Sequence, residues 1–212
     1  MITATFFTFY FLQTIAQEPA VPLLLIAAPP AAQTQTVGTG VVILDGAISR
    51  EGRLVDVRVL QGTSDFIEPS LRAVRQWEFG PPEAVETFSL QERISITFLY
   101  RERAILAEPP HDFNIGTVSA AGDHPPLPTT VVDPGYPANS IGRGSVIVQG
   151  RIRMDGSVER VTVVRPEPSL TEATAAAVER WKFAPALRAG MPASGSAIAV
   201  VVFQQPVLSI IR

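Results

Sequence analysis

The stretch VERWKFAPALRAG, Val178 to Gly190, has a counterpart in VRQWEFGPPEAVE, Val74 to Glu86, and reading the two together decides how the chain is divided. In each, a tryptophan, a charged residue and a phenylalanine follow an apolar helical stripe and precede a proline. Trp77 and Trp181 stand 104 residues apart. The same offset pairs Gly38 with Gly142, Gly40 with Gly144, Val42 with Val146, Gly52 with Gly156, Val57 with Val161, Phe79 with Phe183 and Ile94 with Ile198, without a gap. Chance does not hold one register over that distance, so the chain carries one unit twice.

An exposed Trp-Lys-Phe would offer nucleic-acid bases a stacking platform with a cation beside it. The position of Trp181 argues otherwise: it falls in register with Ala177 and Val178 at the end of the apolar stripe, so its ring packs on a sheet while Lys182 points away. Phe183 and Pro185 then turn the chain, proline forbidding further helix.

Both copies have the same local pattern. In SVIVQGRIRM, Val146, Val148, Ile152 and Met154 fall on one side and Arg151 and Arg153 on the other, as in a half-buried strand. Asp155-Gly156 supplies a two-residue hairpin turn, and VERVTVVR returns with Val161 and Val163 inward. A helix follows, with capping boxes expected at Ser169 and Glu172 and at Asp65 and Glu68. Leu170, Thr174, Ala177, Val178 and Trp181 share one helical face, as do Phe66, Ser70, Ala73, Val74 and Trp77. Third strands come last, at Ile94 to Tyr100 and Ile198 to Phe203. The class is therefore α+β: two tandem small domains, each strand-hairpin-strand-helix-strand, with one helix packed on a small antiparallel sheet.

The units run over residues 28–103 and 128–206, with an irregular Pro/Gly-rich linker at 104–127 and a tail at 207–212. Residues 1–27 read as a signal peptide, with an apolar run from Ala4 to Ile15 and a small-x-small site at Thr14-Ile15-Ala16, or as an apolar tail. Left uncleaved, this segment is the chain's one expected attachment to a membrane. The second apolar stretch, VPLLLIAAPPAA, falls short of the about 20 residues that span a bilayer.

The chain has 212 residues, 46% of them apolar, and a net charge of −3. That balance offers no field for a polyanion, so nucleic acid is not an expected partner. The absence of cysteine excludes disulfides, Cys-ligated zinc and thiol catalysis. His111 and His124, with Asp112 and Asp123 beside them, lie in linker sequence and are expected to be solvated rather than to ligate a metal. No serine elbow and no phosphate-binding glycine spacing is present, so neither a catalytic site nor a cofactor is expected.

The second unit resembles the C-terminal domain family of TonB, the periplasmic energy transducer of Gram-negative bacteria. The resemblance rests on Tyr136-Pro137, Gly142-x-Gly144, Asp155-Gly156, Val158-x-x-Val161-x-Val163, Ala177-Val178-x-x-Trp181-Lys182-Phe183-x-Pro185 and Gly190-x-Pro192. The first unit resembles a diverged copy, with Ala32-Gln33 where Tyr136-Pro137 stands in the second. What the resemblance implies is a non-enzymatic periplasmic protein, linked to energy-dependent outer-membrane transport. Its partner would be an extended segment of an envelope protein, such as the TonB box of an outer-membrane receptor. That segment would add as a strand beside Ile198, Ala199, Val200, Val201, Val202 and Phe203, with Tyr136 and Pro137 as a second contact. In departure from a full transducer, the domain is doubled, and Asp133 stands in DPGYP where a polar amide is usual.

The two copies differ in charge: residues 128–206 hold eight cations and six anions, residues 28–103 eight cations and ten anions. Arg151, Arg153 and Arg160 stand where the first unit has Ala47, Ser49 and Asp56, and this face is a candidate for an anionic partner or for docking on the acidic sister unit. The alternative to receptor binding is structural. The copies would pair edge to edge, within one chain or between two, with strand 198–203 sealed against strand 94–100, and serve as an envelope scaffold.

Overall fold

A strand that is apolar on both faces has to lie inside a sheet with a layer on either side. In the computed structural model, which describes residues 24–28, 38–80, 93–102, 110–118, 120, 122–138, 140 and 142–204, four strands meet that condition. The first unit consists of β1 (Leu24–Ala27), β2 (Gly40–Ile48), β3 (Leu54–Gly62), α1 (Ser64–Val74), β4 (Glu78–Gly80) and β5 (Arg93–Glu102). Between the units lies β6 (Phe113–Asn114). The second unit consists of β7 (Leu127–Val131), β8 (Gly144–Ile152), β9 (Val158–Arg165), α2 (Thr171–Val178), β10 (Lys182–Ala184), a small hairpin of β11 (Ala186–Arg188) and β12 (Met191–Ala193), and β13 (Gly195–Gln204). The fold is α+β with two tandem units, and their strands join in one six-stranded sheet of order β3-β2-β5-β13-β8-β9.

The join is made by the third strands. β13 runs parallel to β5 from Ala197 beside Ser95 to Gln204 beside Glu102, and antiparallel to β8. Ile198 sits beside Ile96, and its partner on β8, Gln149, is the counterpart of Asp45, which pairs with Ser95. The third strands therefore correspond at an offset of 103, and the Ile94–Ile198 pairing expected from a gapless repeat is corrected by one residue. Ile96, Phe98 and Tyr100 share a core with Ile198, Val200 and Val202 and with Phe66, Val74 and Trp77 of the first helical segment. Leu99, Ala199, Val201 and Phe203 share the other core with Leu170, Val178 and Trp181. The two helices therefore cover opposite faces of the sheet, related by a pseudo-twofold axis along the strands.

Both helical stripes are placed as their spacing predicts, with Trp77 at 1% and Trp181 at 0% exposure. The indole Nε1 of Trp181 donates to the Val132 carbonyl at 3.0 Å. The phenylalanine two residues after each tryptophan bonds the hairpin: Phe79 N to Gly52 O at 2.8 Å and Phe183 N to Gly156 O at 3.1 Å. Both glycines take positive φ, and a Cβ on either would run into that phenylalanine's carbonyl oxygen. The Gly52/Gly156 and Phe79/Phe183 pairs of the repeat are thus two sides of one contact.

Several local expectations are corrected. The helices have no side-chain caps: Ser169 takes φ +64 and its hydroxyl meets that of Ser140 at 2.6 Å, while Thr171 Oγ1 bonds the backbone of Glu167. Asp65 lies inside the first turn of α1, not ahead of it. The hairpins have three-residue loops, closed by Arg153 N to Ser157 O and by Ser49 N to Arg53 O, with glycine in the last, left-handed position. That puts Met154 in a loop, 57% exposed. A bulge where β9 pairs Val148 leaves Val163 39% exposed, and Val164 packs instead.

The stretch at 104–127 is not wholly irregular. Phe113–Asn114 pairs with β7, and Phe113, Ile115 and Val118 pack against the core that holds Val41, Ile43 and Leu99. The face of the first unit away from its own helix is apolar and needs a cover, and the connecting chain supplies one. Likewise Leu24–Ala27, expected in a tail, pairs with β4 and buries Leu25. The expected cleavage site at residues 14–16, Ala32-Gln33 and the tail at 207–212 lie outside the described residues.

Candidate functional site

Strand addition needs a row of backbone groups with no neighbour. β13 does not offer one: it is hydrogen-bonded on one side to β5 and on the other to β8. The expectation of a vacant edge at Ile198–Phe203 is therefore corrected. The physical reason lies in the residues themselves, since alternate positions of IAVVVF serve two different cores and a strand of that kind cannot end a sheet.

The neighbouring candidates also turn inward. The Tyr136 ring stands edge-on to Phe203 with centroids 5.3 Å apart, and its hydroxyl donates to the Gly142 carbonyl. The Pro137 carbonyl accepts from Ser140 N at 2.9 Å, so the Tyr-Pro pair fastens the loop that enters β8. Asp133 is buried. Its Oδ2 lies 3.0 Å from Arg101 Nη1, itself 3% exposed, and its Oδ1 accepts from Gly135 N. This ion pair ties the third strand of the first unit to the start of the second. Sequence reasoning marked Asp133 as a departure but missed its partner, although an arginine directly after an apolar strand was a signal.

Among the described residues, the sheet ends at β3 on one side and β9 on the other. The two edges carry different charge. At the β3 edge, Arg93 holds Asp45 through both carboxylate oxygens at 2.7–3.0 Å and reaches Asp56 at 2.8 Å, while Arg58 reaches Asp56 at 2.6 Å. These hydrogen bonds, Arg93 first and Arg58 second, hold the Asp56 carboxyl below the usual carboxylate range. Asp45 and then Asp56 likewise raise Arg93. That edge is neutralised from within.

The β9 edge is not. Arg151 and Arg160 stand directly opposite one another on neighbouring strands. Arg151 reaches Glu159 at 2.9 Å, Arg153 is exposed, and Arg160 is exposed with no carboxylate in ion-pairing range among the described residues. All three lie on the face away from α2.

The histidines do not meet. His111 leans on the Phe113 ring, centroids 4.5 Å apart, whereas His124 forms a backbone bridge with Leu187 in both directions. Beside it, the Asp123 carboxylate accepts from Ala189 N and Gly190 N at the tip of the β11–β12 hairpin, and these two bonds lower its pKa. No group of three or more potential metal-ligating side chains gathers among the described residues. A cleft of about 420 Å³ lies between Thr39–Val41, Gln61–Thr63 and Asp112–Ile115, with Asp112 the one charged lining residue among the described residues.

No curated protein and no solved structure matches the chain significantly. The family described as the Gram-negative bacterial TonB protein C-terminal matches twice, over residues 29–101 and 134–204. Those two spans cover most of the chain and coincide with the two copies that the repeat and the pseudo-twofold define, so this protein belongs to the TonB C-terminal family and carries its domain in tandem.

Proposed function

We propose that the chain is a non-enzymatic periplasmic protein of the cell envelope in which two TonB-type units are locked through their third strands to form an interaction scaffold. One observation carries the reading: the β5–β13 ladder fills the position at Ile198–Phe203 that a receptor segment would take. The buried Arg101–Asp133 pair reinforces the lock. An envelope location follows the family, and no helix among the described residues is long and apolar enough to cross a membrane.

The alternative, strand addition at β13 coupled to outer-membrane transport, requires that ladder to open. Titrating a TonB-box peptide into the isotopically labelled full chain separates the two. The scaffold reading expects no amide shifts along Ile198–Phe203 at high micromolar peptide. Saturable shifts there, with loss of the β5–β13 contacts, would replace it by the receptor-binding reading.

A further inference from the structure

Both ends of the sheet are second strands of their units, and the two differ in what they present. Along β9, the pairings Arg160 to Arg151, Thr162 to Gln149 and Arg165 to Ile147 put Arg160, Thr162 and Arg165 on one face, because residues 147, 149 and 151 of β8 share that face. Two arginines placed directly opposite on neighbouring strands repel each other. At the far end, half-buried Arg165 donates from Nη1 to the Ala28 carbonyl at 3.4 Å but has no carboxylate partner, and its Nε has no acceptor, among the described residues. The β3 edge has no such surplus, since Asp45 and Asp56 are matched by Arg93 and Arg58.

We propose that the β9 edge binds an extended acidic peptide segment by strand addition. The backbone of Val158–Arg165 supplies the ladder, while Arg160 and Arg165 select two carboxylates four residues apart on the incoming strand. The spacing follows from β8, where the residues facing Arg160 and Arg165 are Arg151 and Ile147. Thr162 falls between them and sets a small or polar residue at the middle position. Bulges at Ile147/Val148 and Arg151/Ile152 bend the strand. They deny it the long flat template that pairs indiscriminately, which leaves the charges to choose the partner. The inference rests on the closed third strands only in so far as they make β9 an outer strand.

The test uses the full chain and a synthetic extended peptide with glutamates four positions apart and threonine midway. Expected are saturable amide shifts confined to β9 and its β8 partners, and affinity that falls with added salt. Replacing both glutamates by glutamine, or Arg160 by glutamate, should weaken binding about tenfold or more. N-methylating the peptide backbone on its pairing side should abolish binding, a change that leaves the protein untouched. Equal binding of the glutamine peptide, indifference to N-methylation, shifts at β3, or no binding because another part of this chain already occupies β9 would each overturn the proposal. Shifts at Ile198–Phe203 would count against the scaffold reading instead.

Discussion

Asp133 and Trp181 show what single side chains contribute to the join between units. Arg101 and Asp133 are 3% and 0% exposed, and removing one member of a buried pair costs about 3 kcal/mol. Asp133→Ala should lower stability by that order, read as a shift in the denaturant midpoint, whereas Glu159→Ala, at the exposed end of the Arg151 pair, should change it little. The two tryptophans provide an internal comparison. Trp181 Nε1 has the Val132 carbonyl; Trp77 Nε1 is buried with no acceptor among the described residues. Both substitutions to phenylalanine lose volume, but Trp181→Phe also orphans a carbonyl, so it should cost about 1 kcal/mol more than Trp77→Phe. Gly52→Ala or Gly156→Ala puts a Cβ against the Phe79 or Phe183 carbonyl at positive φ and should cost at least about 2 kcal/mol. Buried within the first core, the Tyr100 phenol has its pKa raised to about 12 by desolvation, partly offset by Ser70. It stays protonated through the neutral range and keeps its 2.9 Å contact with the Ser70 hydroxyl.

At the level of elements, the helical stripes were legible because every predicted position is buried and no competing pattern overlays the 3.6-residue period. The strands were only half legible. Alternation suits a sheet with one wet face, but ITFLY and AVVVF are apolar at successive positions, which signals layers on both sides and so an interior strand. In β3 and β9 the partly buried residues recur about every third position, Leu54, Val57 and Leu60 among them. Bulges shift the register there and hide the two-residue period. The candidate edge was therefore misplaced by the same feature that made the sheet. One element has a pH signature. The two N–H groups of the β11–β12 tip that bond Asp123 keep it ionised below the usual range. The stabilisation is present above the ordinary carboxylate pKa and is lost as pH falls through the depressed folded value. Amide exchange at Ala189 and Gly190 should speed up as pH drops below about 4, relative to amides elsewhere in the hairpin. An Asp123→Asn variant should show a weaker dependence.

For the whole molecule, the two cores lie on opposite faces of one sheet and share β5 and β13, so neither unit has a boundary across which few contacts pass. Cooperative unfolding in a single transition is the expectation. The chain has two tryptophans, one in each core, which makes the check direct. Variants retaining only Trp77 or only Trp181 should each show fluorescence and circular dichroism midpoints that coincide. Separate midpoints in one variant would mean that the units fold independently and that the central ladder is a docking contact.

The parallel ladder between the third strands has a kinetic meaning as well. Between two separate molecules, such a contact would form and dissolve with concentration. Here the partner strand is on the same chain, linked through a segment that itself packs on the sheet, so the encounter is intramolecular and its effective concentration is fixed by geometry. Dilution cannot reverse it. A duplication of this kind turns an association equilibrium into a folding equilibrium, and makes the assembled state available even to a protein present in few copies.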